Sequence, residues 1–134
     1  MGNRPSNREI INKVTDALAA LNAGRFIGGF EKHQLADLEP LGLNSALELP
    51  SLLKNLLREI QHADPLNCYA GTFPPTRSYE KAVKGLELWA YCWHSGRYDR
   101  MMYLKFALKK DKTQKLWYFH MSCHESDTSK GKRV

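Results

Sequence analysis

The sequence predicts an α+β domain, and three observations carry that expectation. Apolar residues recur at helical spacing in two segments of the N-terminal half. After Gly85 the apolar period shortens from about 3.6 to 2. Three runs rich in aromatic and aliphatic side chains then follow, at 86–93, 101–108 and 116–123, separated by turn signals at Ser95 and Gly96 and at 110–113. Helices first and strands afterwards predict two main N-terminal helices packed on a C-terminal antiparallel sheet. With 134 residues, 43% of them apolar, the chain suits one domain whose core needs neither disulfide nor metal. That domain is expected over 1–125, and the Ser, Thr, Lys and Gly of 126–134 read as a flexible basic tail.

The first helix is expected over 7–23. Ser6 and Glu9 have capping-box spacing, Ile10, Ile11, Val14, Leu18 and Leu21 form the apolar stripe, and Gly24 supplies a left-handed stop. Residues 25–30 read as a short strand or a loop, and 31–38 as a helical turn ending before Pro40. Pro50 suits the first position of a second long helix, where its missing N–H costs nothing. Leu52, Leu53, Leu56, Leu57 and Ile60 form its stripe, and Asp64 and Pro65 end it. The segment 65–85 is rich in Pro and Gly and reads as turns, with a short helix at 78–83.

The net charge of +6 is unevenly spread. Residues 1–96 carry ten basic and ten acidic side chains, whereas 97–134 carry ten basic and four acidic ones. A basic excess confined to one end raises the local concentration of polyanions and is the electrostatic footprint of nucleic-acid binding. Cys68, Cys92 and Cys123 are odd in number and form no CxxC pair, which fits the reduced thiols of a cytoplasmic protein. No apolar run approaches the length of a membrane span, so no membrane partner is expected.

Strand alternation predicts the faces of the sheet. Met102, Leu104, Phe106 and Leu108 are expected under the helices, together with Trp117, Phe119, Met121 and Cys123. The other face then gathers Tyr103, Lys105, Tyr118, His120 and His124. On the first strand, Leu86, Leu88, Ala90 and Cys92 are expected toward the helices, which leaves Trp89, Tyr91 and Trp93 beside the basic face. This set suits metal-independent RNA cleavage. His124 is the expected general acid or base, and Tyr103 orients the 2′-hydroxyl or the phosphate. Lys105 stabilises the phosphorane charge, while Arg97, Arg100, Lys109 and Lys110 bind phosphate. Trp89 and Tyr118 offer stacking surfaces to unpaired bases, with His120 beside them. A zinc site of His120, Cys123 and His124, with Cys92 as a further candidate ligand, is disfavoured because alternation points Cys123 to the opposite face. No metal and no cofactor are expected, since no nucleotide-binding or zinc-protease motif occurs. The alternative is a non-catalytic module, encoded by a phage or mobile element, that binds nucleic acid or a protein partner through the same basic stripe.

Three places in the C-terminal half resemble the motility quorum-sensing regulator (MqsR) branch of the RelE-like bacterial toxins. They are the strand opening at Trp89, the Tyr-Leu-Lys of Tyr103, Leu104 and Lys105, and the closing Ser-x-x-Glu of Ser122 to Glu125. The resemblance implies a RelE-like α+β fold and the toxin of a type II toxin–antitoxin system. Such a toxin is an endoribonuclease (an mRNA interferase) whose partners are messenger RNA and a cognate antitoxin protein. The lysine of the family's closing motif falls on His124. The lysine that follows the family's tyrosine in its extended segment has no counterpart, because Tyr69 is followed by Ala70 and Gly71.

Overall fold

The computed structural model describes residues 6–28, 32–72, 75–79 and 81–126. Helix α1 spans Asn7–Asn22. The Ser6 side chain accepts from the Glu9 amide while the Glu9 carboxylate accepts from the Ser6 amide, so both donors are satisfied reciprocally. Gly24 ends the helix at a φ of +78°, where a side chain would be strained. A two-residue strand β1 (Phe26–Ile27) and a short helix α2 (Lys32–Ala36) follow. Helix α3 runs Leu49–Ala63, so Pro50 is its second residue, one later than expected, and α4 (Pro65–Cys68) adds a turn that the Pro-rich sequence concealed. The short helix expected at 78–83 is a 3-10 turn, Lys81–Val83. The three long strands are β2 (Trp89–Ser95), β3 (Arg100–Lys110) and β4 (Leu116–Glu125). The tail beyond Ser126 lies outside the described residues.

The sheet has four strands in the order β1-β4-β3-β2. The expected antiparallel meander is present, but β1 lies parallel to β4 through Phe26–Tyr118 and Ile27–Phe119, so the sheet is mixed. Past β1 the free edge of β4 is covered by α2. The buried Gln34 amide donates to the carbonyls of His120 (2.9 Å) and Met121 (3.3 Å).

Helices α1 and α3 pack together and on one face of the sheet. Their buried stripes, Ile10, Val14, Ala17, Leu18 and Leu21 on α1 and Leu49, Leu52, Leu53, Leu56, Leu57 and Ile60 on α3, enclose Met102, Leu104 and Phe106 of β3. On β2 the expected faces are reversed. Trp89, Tyr91 and Trp93 lie in the main core, whereas Ala90 and Cys92 face away from the helices and Leu86 and Leu88 join a second cluster around Val83, Ala107 and Met121. The physical reason is area: three large rings remove far more apolar surface from water than two leucines, an alanine and a cysteine. Their polar atoms are satisfied at the helices. The Tyr91 hydroxyl donates to the Ile10 carbonyl at 2.7 Å, and the Trp93 indole to Glu59 at 2.9 Å.

Two carboxylates fix the hairpins. Glu59 on α3 accepts from the Trp93 indole, from the Ser95 hydroxyl at 2.7 Å and from the Arg97 amide at 3.0 Å, which ties the β2–β3 turn to the helix layer. Asp111 accepts from the Thr113 hydroxyl and amide, the Lys115 amide and the Trp117 indole in the β3–β4 turn. Those donors, Thr113 and Trp117 foremost, hold its carboxyl well below the usual carboxylate range. Glu59→Ala strands a part-buried indole N–H and a hydroxyl. Chemical denaturation should register a loss of about 3 kcal/mol, whereas a loss under about 0.5 kcal/mol, the level of an ordinary surface change, would contradict this role.

Candidate functional site

The side chains that could do chemistry meet on the face of the sheet opposite the helices, the outer face. Odd positions of β3 project there, and β4 is aligned so that Tyr103 stands opposite His124 and Lys105 opposite Ser122. On β2 the same two rows continue with Cys92 and Ala90. The Tyr103 and His124 rings stack with centroids 5.1 Å apart and planes 30° apart. His124 keeps 9% of its surface exposed, while Tyr103 and Lys105 are half-buried. The His124 Nδ1 lies 2.8 Å from the Glu125 carbonyl oxygen. A carbonyl can only accept, so Nδ1 carries the proton and Nε2 is the basic nitrogen of the neutral ring. Burial first, and then the neighbouring Cys92 thiol, raise the Tyr103 phenol above its ordinary value. At neutral pH it is therefore an O–H donor and not a phenolate.

A cleft of about 150 Å³ opens beside Tyr103 and Lys105, walled by Leu88 and Ala90 and by Ala70, Gly71, Thr72 and Thr76. The wall residues Ala70 and Thr76 lie along the outer edge of β2. Tyr69 bridges to Tyr91, the Ala70 amide donates to the Ala90 carbonyl at 2.8 Å, and the Leu88 amide to the Thr76 carbonyl at 2.7 Å. The Tyr69 ring folds back over Gly71, its hydroxyl donating to the Thr72 carbonyl at 2.7 Å. A Cβ on Gly71 would lie 2.5 Å from that hydroxyl, so a side chain there would displace the end of the Tyr69 ring. Thr72 and Thr76, whose hydroxyls lie 3.0 Å apart, are polar groups beside the cluster that sequence reading missed. They sit in a stretch with no hydrophobic period, and only the bridges to β2 reveal where it runs.

The structure brings together His124, Tyr103 and Lys105 and separates the other expected contacts. For Tyr118 and His120 a β-bulge in β4 is the cause: Lys105 pairs with Ser122 but Phe106 pairs with His120, leaving Met121 as the extra residue. One extra residue exchanges the faces of everything before it. Tyr118 and His120 therefore point toward the helices, while Phe119 and Met121, expected in the core, pack in the outer cluster. Tyr118 is 0% exposed and stacks between Phe26 and Phe106, and His120 is 2% exposed behind it, so neither offers a surface to a base. Trp89 is 2% exposed under the Lys13 ammonium, which corrects its expected stacking role as well. Arg97 lies in the β2–β3 turn against the Tyr98 ring. Arg100 pairs with Glu125 at 3.3 Å at the rim of the sheet, both half-exposed. Lys109 and Lys110 lie about 20 Å along β3 from Tyr103, given a strand rise of about 3.3 Å per residue.

Cys123 faces the core, and burial raises its thiol to about 12, while Cys68 is raised to about 11 for the same reason. Neither is a nucleophile at neutral pH. Among the described residues no three His, Cys, Asp or Glu side chains converge to hold a metal ion, and no helix is long and apolar enough to cross a membrane. Comparison with family models, curated proteins and solved structures finds no match to this chain.

The Tyr118 hydroxyl is buried with no hydrogen-bond partner among the described residues. A polar group so placed is costly, so Tyr118→Phe should raise stability by about 1 kcal/mol in chemical denaturation. A loss of similar size would show that the hydroxyl is satisfied and the ring differently placed.

Proposed function

We propose that this chain is a metal-independent endoribonuclease of the RelE-like kind, the toxin of a bacterial type II toxin–antitoxin system acting on messenger RNA. One observation carries the reading: an imidazole with its basic nitrogen at Nε2, a protonated phenol and an ammonium occupy adjacent cross-strand positions on one face of the sheet. Two long helices against the opposite face of a four-stranded sheet are compatible with a RelE-like arrangement.

In this mechanism His124 takes the proton of the 2′-hydroxyl as its oxygen attacks the adjacent phosphorus. Tyr103 donates to a phosphate oxygen and fixes the angle of attack. Lys105 stabilises the charge that builds on the phosphorane oxygens. The P–O5′ bond then breaks, and the imidazolium supplies a proton to the leaving 5′-oxygen. The products are a 2′,3′-cyclic phosphate and a 5′-hydroxyl end. The cleft of Thr72 and Thr76 lies where a neighbouring nucleoside would sit and offers it hydroxyl groups. By the family resemblance, a cognate antitoxin protein would hold the enzyme silent in the cytoplasm.

His124→Ala should lower cleavage of single-stranded RNA, assayed in EDTA with product ends identified, by about 100-fold or more. Growth arrest on expression should fall with it. Wild-type rates in that variant would overturn the assignment. RNA that is bound by the parent protein but never cut would favour the non-catalytic binding module instead.

A further inference from the structure

We propose that a lysine-lined groove at the far end of the sheet is the docking site for an acidic, amphipathic polypeptide segment of a protein partner. The groove encloses about 530 Å³ between α1, the 3-10 turn at Lys81–Val83, the end of β3 and the start of β4. Lys13, Lys81, Lys84, Lys109 and Lys110 line it, and no carboxylate among the described residues does. Two of these ammonium groups are held in place. Lys13 sits 5.3 Å from the centre of the Trp89 ring, and Lys109 donates to the Ala82 carbonyl at 2.7 Å. Five like charges gathered over an apolar floor of Leu86, Leu108 and Leu116 repel one another, and a partner supplying carboxylates relieves that repulsion.

The backbone adds a second reason for an extended peptide. The β2–β3 ladder ends at the pair Trp89–Phe106, yet β3 continues to Lys110, paired with β4 on its other side. Beyond Ala107, which packs with Val83, residues 108–110 of β3 run past the end of β2 and along the groove. A segment laid there would extend the sheet through main-chain hydrogen bonds, alternate side chains falling on leucine and on lysine.

Single-stranded RNA is the weaker fit. Among the described residues no aromatic ring lines the groove, although stacking platforms are what unpaired bases use. Leu108 and Lys110 project to the helix side of β3 and Lys109 to the outer face with Tyr103 and Lys105, so the groove wraps the end of the sheet and RNA lying on the outer face would meet only part of it. The proposal does not depend on the catalytic reading.

The test is fluorescence anisotropy on the full chain, with a labelled short peptide of alternating glutamate and leucine as probe and single-stranded oligouridylate in a parallel titration. The double variant Lys84→Glu, Lys110→Glu changes two exposed side chains, and its thermal unfolding should match the parent. The expected result is peptide affinity reduced about tenfold or more, with oligouridylate affinity changed less than about twofold. Failure of the parent protein to bind the peptide, or peptide affinity unchanged in the variant, overturns the proposal. Loss of oligouridylate binding with peptide binding intact overturns it too and gives the groove to nucleic acid. RNA cleavage by the double variant, measured alongside, reports on the catalytic reading separately.

Discussion

The extra residue in β4 governs where the chemistry of this protein lies. Met121 has no partner on β3, and that single offset lets one strand serve two purposes. Before it, Tyr118 and His120 fill the space between the sheet and the helices, stacked against Phe26 and Phe106. After it, Ser122 and His124 emerge on the outer face beside Lys105 and Tyr103. An unbroken alternation would place all four even-numbered polar residues on one side. The Tyr118 and His120 rings would then leave the core, and aromatic area would return to water at about 25 cal/mol per Å². The bulge is also the place where Gln34 ties α2 to the sheet, so the irregularity is held by hydrogen bonds on its open edge.

Much of the fold is legible in the sequence because its signals are local. The capping box at Ser6 and Glu9, the proline of α3 and the leucine stripe behind it each follow from a few neighbouring residues. The strands announce themselves by aromatic and aliphatic runs between turn residues. The faces of those strands were not legible, for two physical reasons. On β2 both alternating sets are apolar, so periodicity cannot say which is inside, and ring area decides in favour of Trp89, Tyr91 and Trp93. On β4 the bulge exchanges the faces partway along, and no residue type near Met121 marks it. The parallel pairing of β1 is equally silent, since two residues carry no period of their own.

The candidate site was legible at its centre and not at its margins. Tyr103 and Lys105 alternate cleanly on a strand whose other set is wholly apolar, and His124 follows the bulge, so these three meet as expected. The stacking partners expected for a base depend on parity across the bulge or on the ambiguous strand, and they lie in the core. The basic excess of the last 38 residues divides in three dimensions. Lys105 belongs to the outer face and Arg100 is offset by Glu125, whereas Lys109 and Lys110 join Lys13, Lys81 and Lys84 from distant parts of the chain. A charge count along the sequence sees none of this division, because the groove is assembled from four elements distant in the chain.

The most direct test of this account is the relation of two rings across β3 and β4. Nuclear Overhauser spectra of the protein should show contacts between the Tyr103 ring protons and those of His124, together with contacts between the Tyr118 and Phe106 rings. Both sets at once require the offset at Met121. Contacts from the Phe106 ring to Met121 and Phe119 in place of Tyr118, with the Tyr103–His124 contacts kept, would mean an unbroken strand and would contradict the arrangement described here.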